Sequence, residues 1–144
     1  MPTITAHSGT VMGFDYGLAR IGVSVGEIAL KQAHALMVIA SRVNNIRFTR
    51  ITALLEEWRP VLLVVGFPTH MDGKYHAMSA HAGRFARQLR GRYHLPVCMA
   101  DERLTSLDAQ DRLQQGGLSI RRTKQVQDAV AAQLILENWF AANT

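Results

Sequence analysis

The chain has 144 residues, of which 48% are hydrophobic and 19% are charged, so its composition excludes a disordered chain and fits one domain over residues 1–144. Sixteen Lys and Arg residues outnumber eleven Asp and Glu residues, which gives a formal charge of +5. That excess favours a polyanionic partner such as nucleic acid, because phosphate contacts release counterions, although an ordinary soluble surface can carry the same charge.

Three short strands are predicted in the first forty residues. The first ten residues lack the basic start and apolar stretch of a signal peptide, and no apolar run approaches the roughly 18 residues of a membrane span, so we expect a cytoplasmic protein without a membrane partner. Apolar runs at 11–15, 20–26 and 35–40 have strand length. Gly17 in the turn between the first two suits a hairpin, which predicts an antiparallel start.

A helix and a buried strand are predicted next. Asn44 or Asn45 can cap a helix that ends before Pro60. Its apolar positions recur at spacings of three and four: Phe48, Ile51, Leu54, Leu55 and Trp58. The following run at 61–65 contains only valine and leucine, which is typical of a strand covered on both faces.

The second half of the chain alternates helices with one more strand. A second amphipathic helix is marked by Met78, Ala82, Phe85, Ala86, Leu89 and Tyr93. A strand is predicted at 97–100, a helix at 107–115 and a last helix at 124–141. The single cysteine, Cys98, lies in that strand, excludes an internal disulfide and is expected to be an inert core residue. The order of elements predicts an α/β protein with a mixed five-stranded sheet flanked by helices.

Acidic residues occur where a carboxylate is costly. Asp15 ends one predicted buried strand, and the pair 101–102 ends another. Asp128 lies in the last helix with alanine or isoleucine at i+3, i+4 and i+7, which places it on the packing face. A buried carboxylate needs a cation, a hydrogen-bond cluster or a raised pKa, and a divalent metal would satisfy all three positions at once. Two such ions about 4 Å apart can support phosphodiester cleavage.

Each acid also has a purely structural interpretation. Asp15 fits an ordinary turn residue. The acids 101–102 could form a surface salt bridge with Arg103 or Arg20. Asp128 could be an early helix acid that the helix dipole favours. Sequence spacing leaves open whether the acids converge.

Four motifs occur in order along most of the chain. They are GFDYGLARIG at 13–22, VGFP at 65–68 followed by MDG at 71–73, DERLTS at 101–106 and DAVAA at 128–132. Together they resemble the YqgF family, also called RuvX or Holliday junction resolvase-like. The first motif alone is also similar to the acid-glycine turns of sugar kinases and actin-like ATPases, whereas the four in order are specific.

The resemblance implies a ribonuclease H-like fold and a nuclease that trims the 5′ end of the 16S ribosomal RNA precursor, or alternatively one that resolves four-way DNA junctions. By this similarity Asp15, Glu102 and Asp128 are the catalytic carboxylates, and they hold Mg²⁺ or Mn²⁺. Glu102 is preferred to Asp101 because its motif position and longer reach suit a ligand. The chain has Thr105-Ser106 where the family often has two threonines, which keeps the hydroxyl.

Basic residues are expected to hold the nucleic-acid backbone around the acids. Arg84, Arg87 and Arg90 are spaced by three along the second long helix and form a positive stripe, for which a solvated helix face is the alternative. The predicted nucleic-acid-binding set comprises Arg20, Lys74, Arg84, Arg87, Arg103, Arg121, Arg122 and Lys124. Arg20 could equally have a packing role. Few aromatic residues are available for base stacking, which favours recognition of backbone or shape.

Three functions remain as hypotheses. The first is the metal-dependent nuclease. The second is a nucleic-acid-binding assembly factor on the same fold, in which the acids have no catalytic role. The third is an actin-like ATPase or kinase, but such enzymes clamp nucleotide between two domains and this length accommodates one. The sequence leaves monomer and homodimer equally open.

Overall fold

The computed structural model describes residues 8–67, 73–101 and 120–143 of the chain. These ranges contain five strands and three helices. The strands are β1 (Thr10–Tyr16), β2 (Arg20–Glu27), β3 (Gln32–Ala40), β4 (Leu62–Phe67) and β5 (Val97–Asp101). The helices are α1 (Asn44–Trp58), α2 (Gly73–Tyr93) and α3 (Ile120–Asn143).

The strands form one mixed sheet in the order β3-β2-β1-β4-β5. Strand β2 pairs antiparallel with both β1 and β3, so the predicted hairpin is confirmed. Strand β4 pairs parallel with both β1 and β5. The carboxyl ends of β1, β4 and β5 therefore meet at one edge of the sheet, where the first predicted acids lie.

Two predicted element starts differ from the structure by three residues or more. Strand β3 begins at Gln32, three residues before its predicted start, because 32–34 pair with the end of β2 although two of these side chains are exposed. Helix α3 begins at Ile120, four residues earlier than predicted. The helix predicted at 107–115 lies outside the described residues.

Helix α1 ends before Pro60, as predicted, but its N-terminal cap differs from the prediction. Its cap is Val43, whose extended backbone precedes the helix without a side-chain capping bond, so the predicted asparagine cap is wrong. At the other end Arg59 adopts a left-handed conformation with φ 48°, and its N–H donates to the Leu55 carbonyl at 2.9 Å. Trp58, the last residue of the helix, is 36% exposed, so its predicted place on the apolar face is wrong.

The sheet is covered on both faces. On one face α1 and α2 pack against Met12, Phe14 and neighbouring strand residues through Phe48, Ile51, Phe85 and Leu89. On the other face α3 packs through Ile135, Leu136, Trp139 and Phe140. No helix within the described ranges has a stretch both long and apolar enough to cross a membrane.

Cys98 faces α3 and is buried in that second core, as predicted. Burial raises the pKa of its thiol, while a hydrogen bond with Trp139 and the nearby charge of Arg90 oppose the rise. The thiol therefore stays protonated at neutral pH, which is consistent with an inert packing residue.

Helix α3 lies directly on the backbone of β1 and β2. A Cβ added to Gly22 would be 1.9 Å from the Asp128 carbonyl oxygen, and one added to Gly13 would be 2.7 Å from Leu136 Cγ. Between these contacts the Ser24 hydroxyl donates to the Ala132 carbonyl at 2.7 Å. Only residues with little or no side chain allow this approach, so the first motif positions α3 as well as carrying an acid.

Candidate active site

Asp15 lies near the end of β1 on the sheet face that α3 covers. Residues two apart on a strand share a face, and Gly13 faces Leu136 of α3, so Asp15 faces the same side. Its cross-strand partners are Gly22 on β2 and Gly66 on β4. The missing side chain of Gly22 leaves room for α3, whose Asp128 carbonyl lies over it, so the half-buried Asp15 lies beside that helix.

Asp128 is brought to the same place by α3. Its backbone carbonyl contacts Gly22, the residue paired with Asp15, and paired strand residues have Cα atoms about 4.5–5.5 Å apart. Asp15 and Asp128 are 113 positions apart in the chain, yet both adjoin one glycine on one face of the sheet. The structure thus brings the backbones of two of the three predicted acidic residues to the same strand position.

The predicted packing face of α3 is confirmed at the neighbours of Asp128. Ala131, Ala132 and Ile135 are 4%, 0% and 0% exposed. The Asp128 side chain itself retains 25% exposure because it lies at the margin of this face, near the sheet edge. The carboxylate is therefore held by a rigid helix and remains accessible.

Arg20 forms an ion pair with Asp128. Its Nε donates to Asp128 Oδ2 at 2.6 Å, and the two side chains are 39% and 25% exposed. The sequence suggested Arg20 as a partner for the acids 101–102 or for phosphate, whereas the bond in the structure is to Asp128. A protein cation therefore compensates the Asp128 carboxylate, which is one of the ways in which a partly buried acid can be accommodated.

The remaining predicted site residues are described in part or not at all. Glu102 and Arg103 lie outside the described residues, one and two positions beyond the end of β5. Lys74 belongs to α2, and the basic residues at 121, 122 and 124 belong to α3; the structure describes their backbone only. Asp101 is the last residue of β5 and pairs with Phe67.

A divalent metal fits the donor chemistry of the two described carboxylates. Mg²⁺ and Mn²⁺ prefer carboxylate oxygens, often one or two from the protein together with waters and substrate oxygens. Arg20 shows that the position attracts a cation. Within the described ranges no three His, Cys, Asp or Glu side chains gather closely enough to hold a metal, so a triad needs a residue from outside them.

The arginine stripe of α2 lies over the opposite face of the sheet from α3. Arg84 and Arg87 are exposed, as a binding stripe requires. Arg90 donates to the Val97 carbonyl at 3.2 Å. Val97 is the first residue of β5, so it lies at the amino ends of the parallel strands, whereas Asp15 lies near the carboxyl end of β1. The stripe therefore runs along α2 away from the carboxylates. Arg90, at its far end, forms a structural hydrogen bond with β5.

Arg47 is a buried residue that sequence reasoning missed. It is 3% exposed, donates to the Ser41 carbonyl at 2.6 Å and to the Gly17 carbonyl, and lies 5.3 Å from the Tyr16 ring centroid. Its guanidinium thus ties α1 to the turn that separates Asp15 from β2. Its spacing of four from Ile51 placed it on the apolar face and could have revealed this role.

A mixed five-stranded sheet in the order β3-β2-β1-β4-β5, covered by helices on both faces, has the architecture of the ribonuclease H-like class of fold. The structure of T. thermophilus RuvC in complex with a Holliday junction substrate is similar with a TM-score of 0.62, 19% identity and coverage of 92% of this chain and 94% of that chain. A Thermus thermophilus RuvC structure gives 0.51 at 21% identity, covering 92% of this chain and 95% of that one. These similarities establish the fold.

The chain belongs to the RuvX family, whose sequence profile, described as Holliday junction resolvase, matches residues 9–142. A relative from Methylobacillus flagellatus is 48% identical over 97% of both chains, and one from Dechloromonas aromatica is 52% identical over 92% of this chain and 90% of the relative. Both relatives carry the name "Putative pre-16S rRNA nuclease". The resemblance seen in the four sequence motifs is confirmed.

Proposed function

We propose that this chain is a metal-dependent nuclease that hydrolyses phosphodiester bonds and processes the 5′ end of precursor 16S ribosomal RNA in the cytoplasm. The observation that carries the proposal is the meeting of Asp15 and Asp128 beside Gly22. A pair of accessible carboxylates on rigid elements is what a phosphodiesterase site needs. The name of the two relatives supports the choice of RNA substrate.

Glu102 is proposed as the third carboxylate. Cys98 and Ala100 both face α3, and Ala100 lies in the same cross-sheet row as Gly66 and Asp15. Strand alternation extended by two residues predicts position 102 on that face and position 101 on the other. Two strand spacings, about 10 Å, separate Ala100 from Asp15 in this row, so a ligand that follows Ala100 benefits from the longer reach of a glutamate.

The residues of the chain would share the chemistry as follows. Asp15, Asp128 and Glu102 would hold Mg²⁺ or Mn²⁺, which supplies an activated water and stabilises the leaving oxygen when bound. The half-buried carboxylates orient the ion because strand and helix backbones fix them. The basic residues Arg20, Arg103, Arg121, Arg122 and Lys124 would hold phosphates near the carboxylates, and Lys74, Arg84 and Arg87 would extend this contact along α2.

Holliday junction resolution is the second candidate. The family description and the junction-bound RuvC neighbour favour it. Symmetric cutting of a junction needs two active sites, so this function predicts a homodimer, whereas trimming one RNA end needs only a monomer. Oligomeric state in solution therefore helps to separate the two functions.

Cleavage assays with two substrates test the proposal. We expect purified protein with Mn²⁺ or Mg²⁺ to shorten a precursor RNA that carries the 5′ extension, faster than it cuts a four-way DNA junction. Asp15→Asn should reduce cleavage at least about a hundredfold while the circular dichroism spectrum is retained, because it removes a charged ligand from a metal-holding site. Glu57→Gln changes an exposed acid on α1 and should leave activity unchanged.

The outcomes separate RNA processing, junction resolution and the role of an assembly factor. Faster cutting of the junction would assign the chain to recombination instead of RNA processing. Nucleic-acid binding without cleavage of either substrate would support the assembly factor and contradict the nuclease. Full activity of Asp15→Asn would contradict the proposed site even if the protein cleaves RNA.

A further inference from the structure

We propose that Arg20 is a built-in counter-ion that competes with the divalent metal for Asp128. The inference rests on the proposed function, because it concerns the same carboxylates. In the absence of metal Arg20 would neutralise Asp128 and keep the two aspartates from repelling one another. Metal binding would then require the Arg20–Asp128 pair to open.

The geometry of the ion pair supports competition. Arg20 Nε lies 2.6 Å from Asp128 Oδ2, a distance typical of a charge-assisted hydrogen bond, so that oxygen already has a cationic partner. A carboxylate oxygen held in this way cannot offer its full charge to a metal. Arg20 is the first residue of β2 and Asp128 lies on α3, so the pair joins two rigid elements across Gly22.

The pair can open without disturbing the fold. Arg20 is 39% exposed and lies at the end of its strand, where a long side chain can reorient into solvent. The contact between α3 and β2 has independent support from Gly22 and from the Ser24 hydroxyl bond to Ala132. The pair is only partly buried, so solvent screens it and a divalent ion can displace it at a modest cost.

The strand neighbours of Arg20 carry no charge. Its β3 partner is Ala40, which carries no charge, and the adjacent Ile21 is fully buried on the other core face. The guanidinium is therefore directed to Asp128 by charge rather than by enclosure. A packing role would predict that Arg20 supports the site, whereas a counter-ion role predicts that its removal frees Asp128.

Manganese binding to the full chain without nucleic acid tests the proposal. Electron paramagnetic resonance measures free Mn²⁺ during titration of wild type, Arg20→Gln, Arg20→Met and Arg42→Gln. We expect either neutral substitution at Arg20 to lower the Kd for Mn²⁺ by about two- to fivefold, the range that a solvent-screened ion pair can supply. Arg42→Gln removes an exposed arginine two residues beyond Ala40 and should change the Kd little.

Additional variants keep each outcome informative. Arg20→Lys retains a cation and should bind Mn²⁺ close to wild type, and it serves as the folded reference if a neutral variant unfolds. Unchanged or weaker Mn²⁺ binding in Arg20→Gln and Arg20→Met would overturn competition, as would equal tightening in Arg42→Gln. Asp128→Asn should abolish the tight Mn²⁺ site; if it binds Mn²⁺ like wild type, the proposed metal site itself fails, independently of Arg20.

Discussion

Arg47 shows how one buried side chain can fix the approach to a site that it does not touch. Its guanidinium donates hydrogen bonds to two backbone carbonyls, that of Gly17 before the start of β2 and that of Ser41 just after the end of β3. The Tyr16 ring covers the cation at 5.3 Å, which offsets part of the cost of burying it. The turn after Asp15 is therefore held by α1 rather than by its own sequence.

Replacing Arg47 by methionine should destabilise the protein. Methionine keeps much of the apolar stem but leaves two carbonyls without their donor, and bonds to charged donors contribute about 1.5–3 kcal/mol. We expect the free energy of unfolding in urea to fall by about 2–3 kcal/mol. Arg50→Met on the exposed side of the same helix should change it by less than about 0.5 kcal/mol. Equal effects of the two variants would contradict the clamp.

Cys98 should make the protein sensitive to alkaline pH. Because burial raises its pKa, the folded protein retains the thiol proton at a pH where the unfolded chain, with a thiol pKa of about 8.5, has lost it. The stability contribution is thus complete below that pH and is lost as the pH rises above it. The difference in unfolding free energy between wild type and Cys98→Ala should shrink from pH 7 to pH 9.5, and a constant difference would contradict this.

Single residues were predictable from the sequence where local spacing decides their environment. Cys98 and the alanines beside Asp128 were assigned to the core correctly because strand length and helical spacing suffice. The partner of Arg20 could not be assigned, since the pairing of a β2 residue with an α3 residue 108 positions away depends on where α3 crosses the sheet. Arg47 could have been found from its spacing to Ile51.

At the scale of elements, the contact between α3 and β2 decides whether the two aspartates meet. It depends on Gly22, since any Cβ there would clash with a helix carbonyl at 1.9 Å, and a helix backbone cannot yield as a flexible side chain does. The contact also explains why the first motif combines an aspartate with glycines. One motif supplies the acid and the space for the helix that brings the second acid.

Gly22→Ala should therefore disrupt both stability and metal binding. We expect a loss of about 3 kcal/mol in unfolding free energy, the upper end of overpacking costs, together with weaker Mn²⁺ binding because Asp128 moves with α3. Gly91→Ala is the matched control: nothing lies within 4 Å of the added Cβ, and alanine in helix α2 should add about 0.5–1 kcal/mol. A Gly22→Ala variant as stable as wild type would show that α3 does not press on β2.

Element ends were less predictable than element types. The start of β3 is set by pairing with β2, so polar residues join the strand without an apolar signal of their own. The cap of α1 is Val43 because the chain enters the helix from an extended backbone, where the Ser41 hydroxyl accepts from the Val43 N–H at 3.0 Å. Local propensity for asparagine caps was overruled by this tertiary arrangement.

At the scale of the whole molecule, the sequence predicted the fold well but predicted the candidate site only in part. The alternation of strands and helices was enough to predict a mixed five-stranded sheet, because hairpin, crossover and helix signals are local and agree with one another. Whether the acidic residues lie close together in the fold could not be predicted from composition and spacing. It depends on strand register and on the crossing point of α3, which belong to the assembled sheet.

Charge at the scale of the molecule also differs from the initial picture. The net charge of +5 suggested a cationic rim around an acidic centre, but the exposed Arg84 and Arg87 lie over the sheet face opposite to α3. A substrate that contacts both the arginine stripe and the carboxylates would have to pass around the carboxyl ends of the parallel strands.

Replacing both Arg84 and Arg87 by glutamine should therefore weaken RNA binding and reduce its salt dependence, as measured by fluorescence anisotropy, without altering the affinity for Mn²⁺. Unchanged RNA binding would show that the arginine stripe is only a solvent-exposed helix face.

Anomalous diffraction from crystals soaked in Mn²⁺ tests the central claim most directly, because it shows whether distant acids share one cation. We expect a manganese peak between the carboxylates of Asp15 and Asp128, with Glu102 as a further ligand and Arg20 displaced from Asp128. Crystals in which the soaked ion avoids this position, and in which the two aspartates point apart, would contradict the nuclease site.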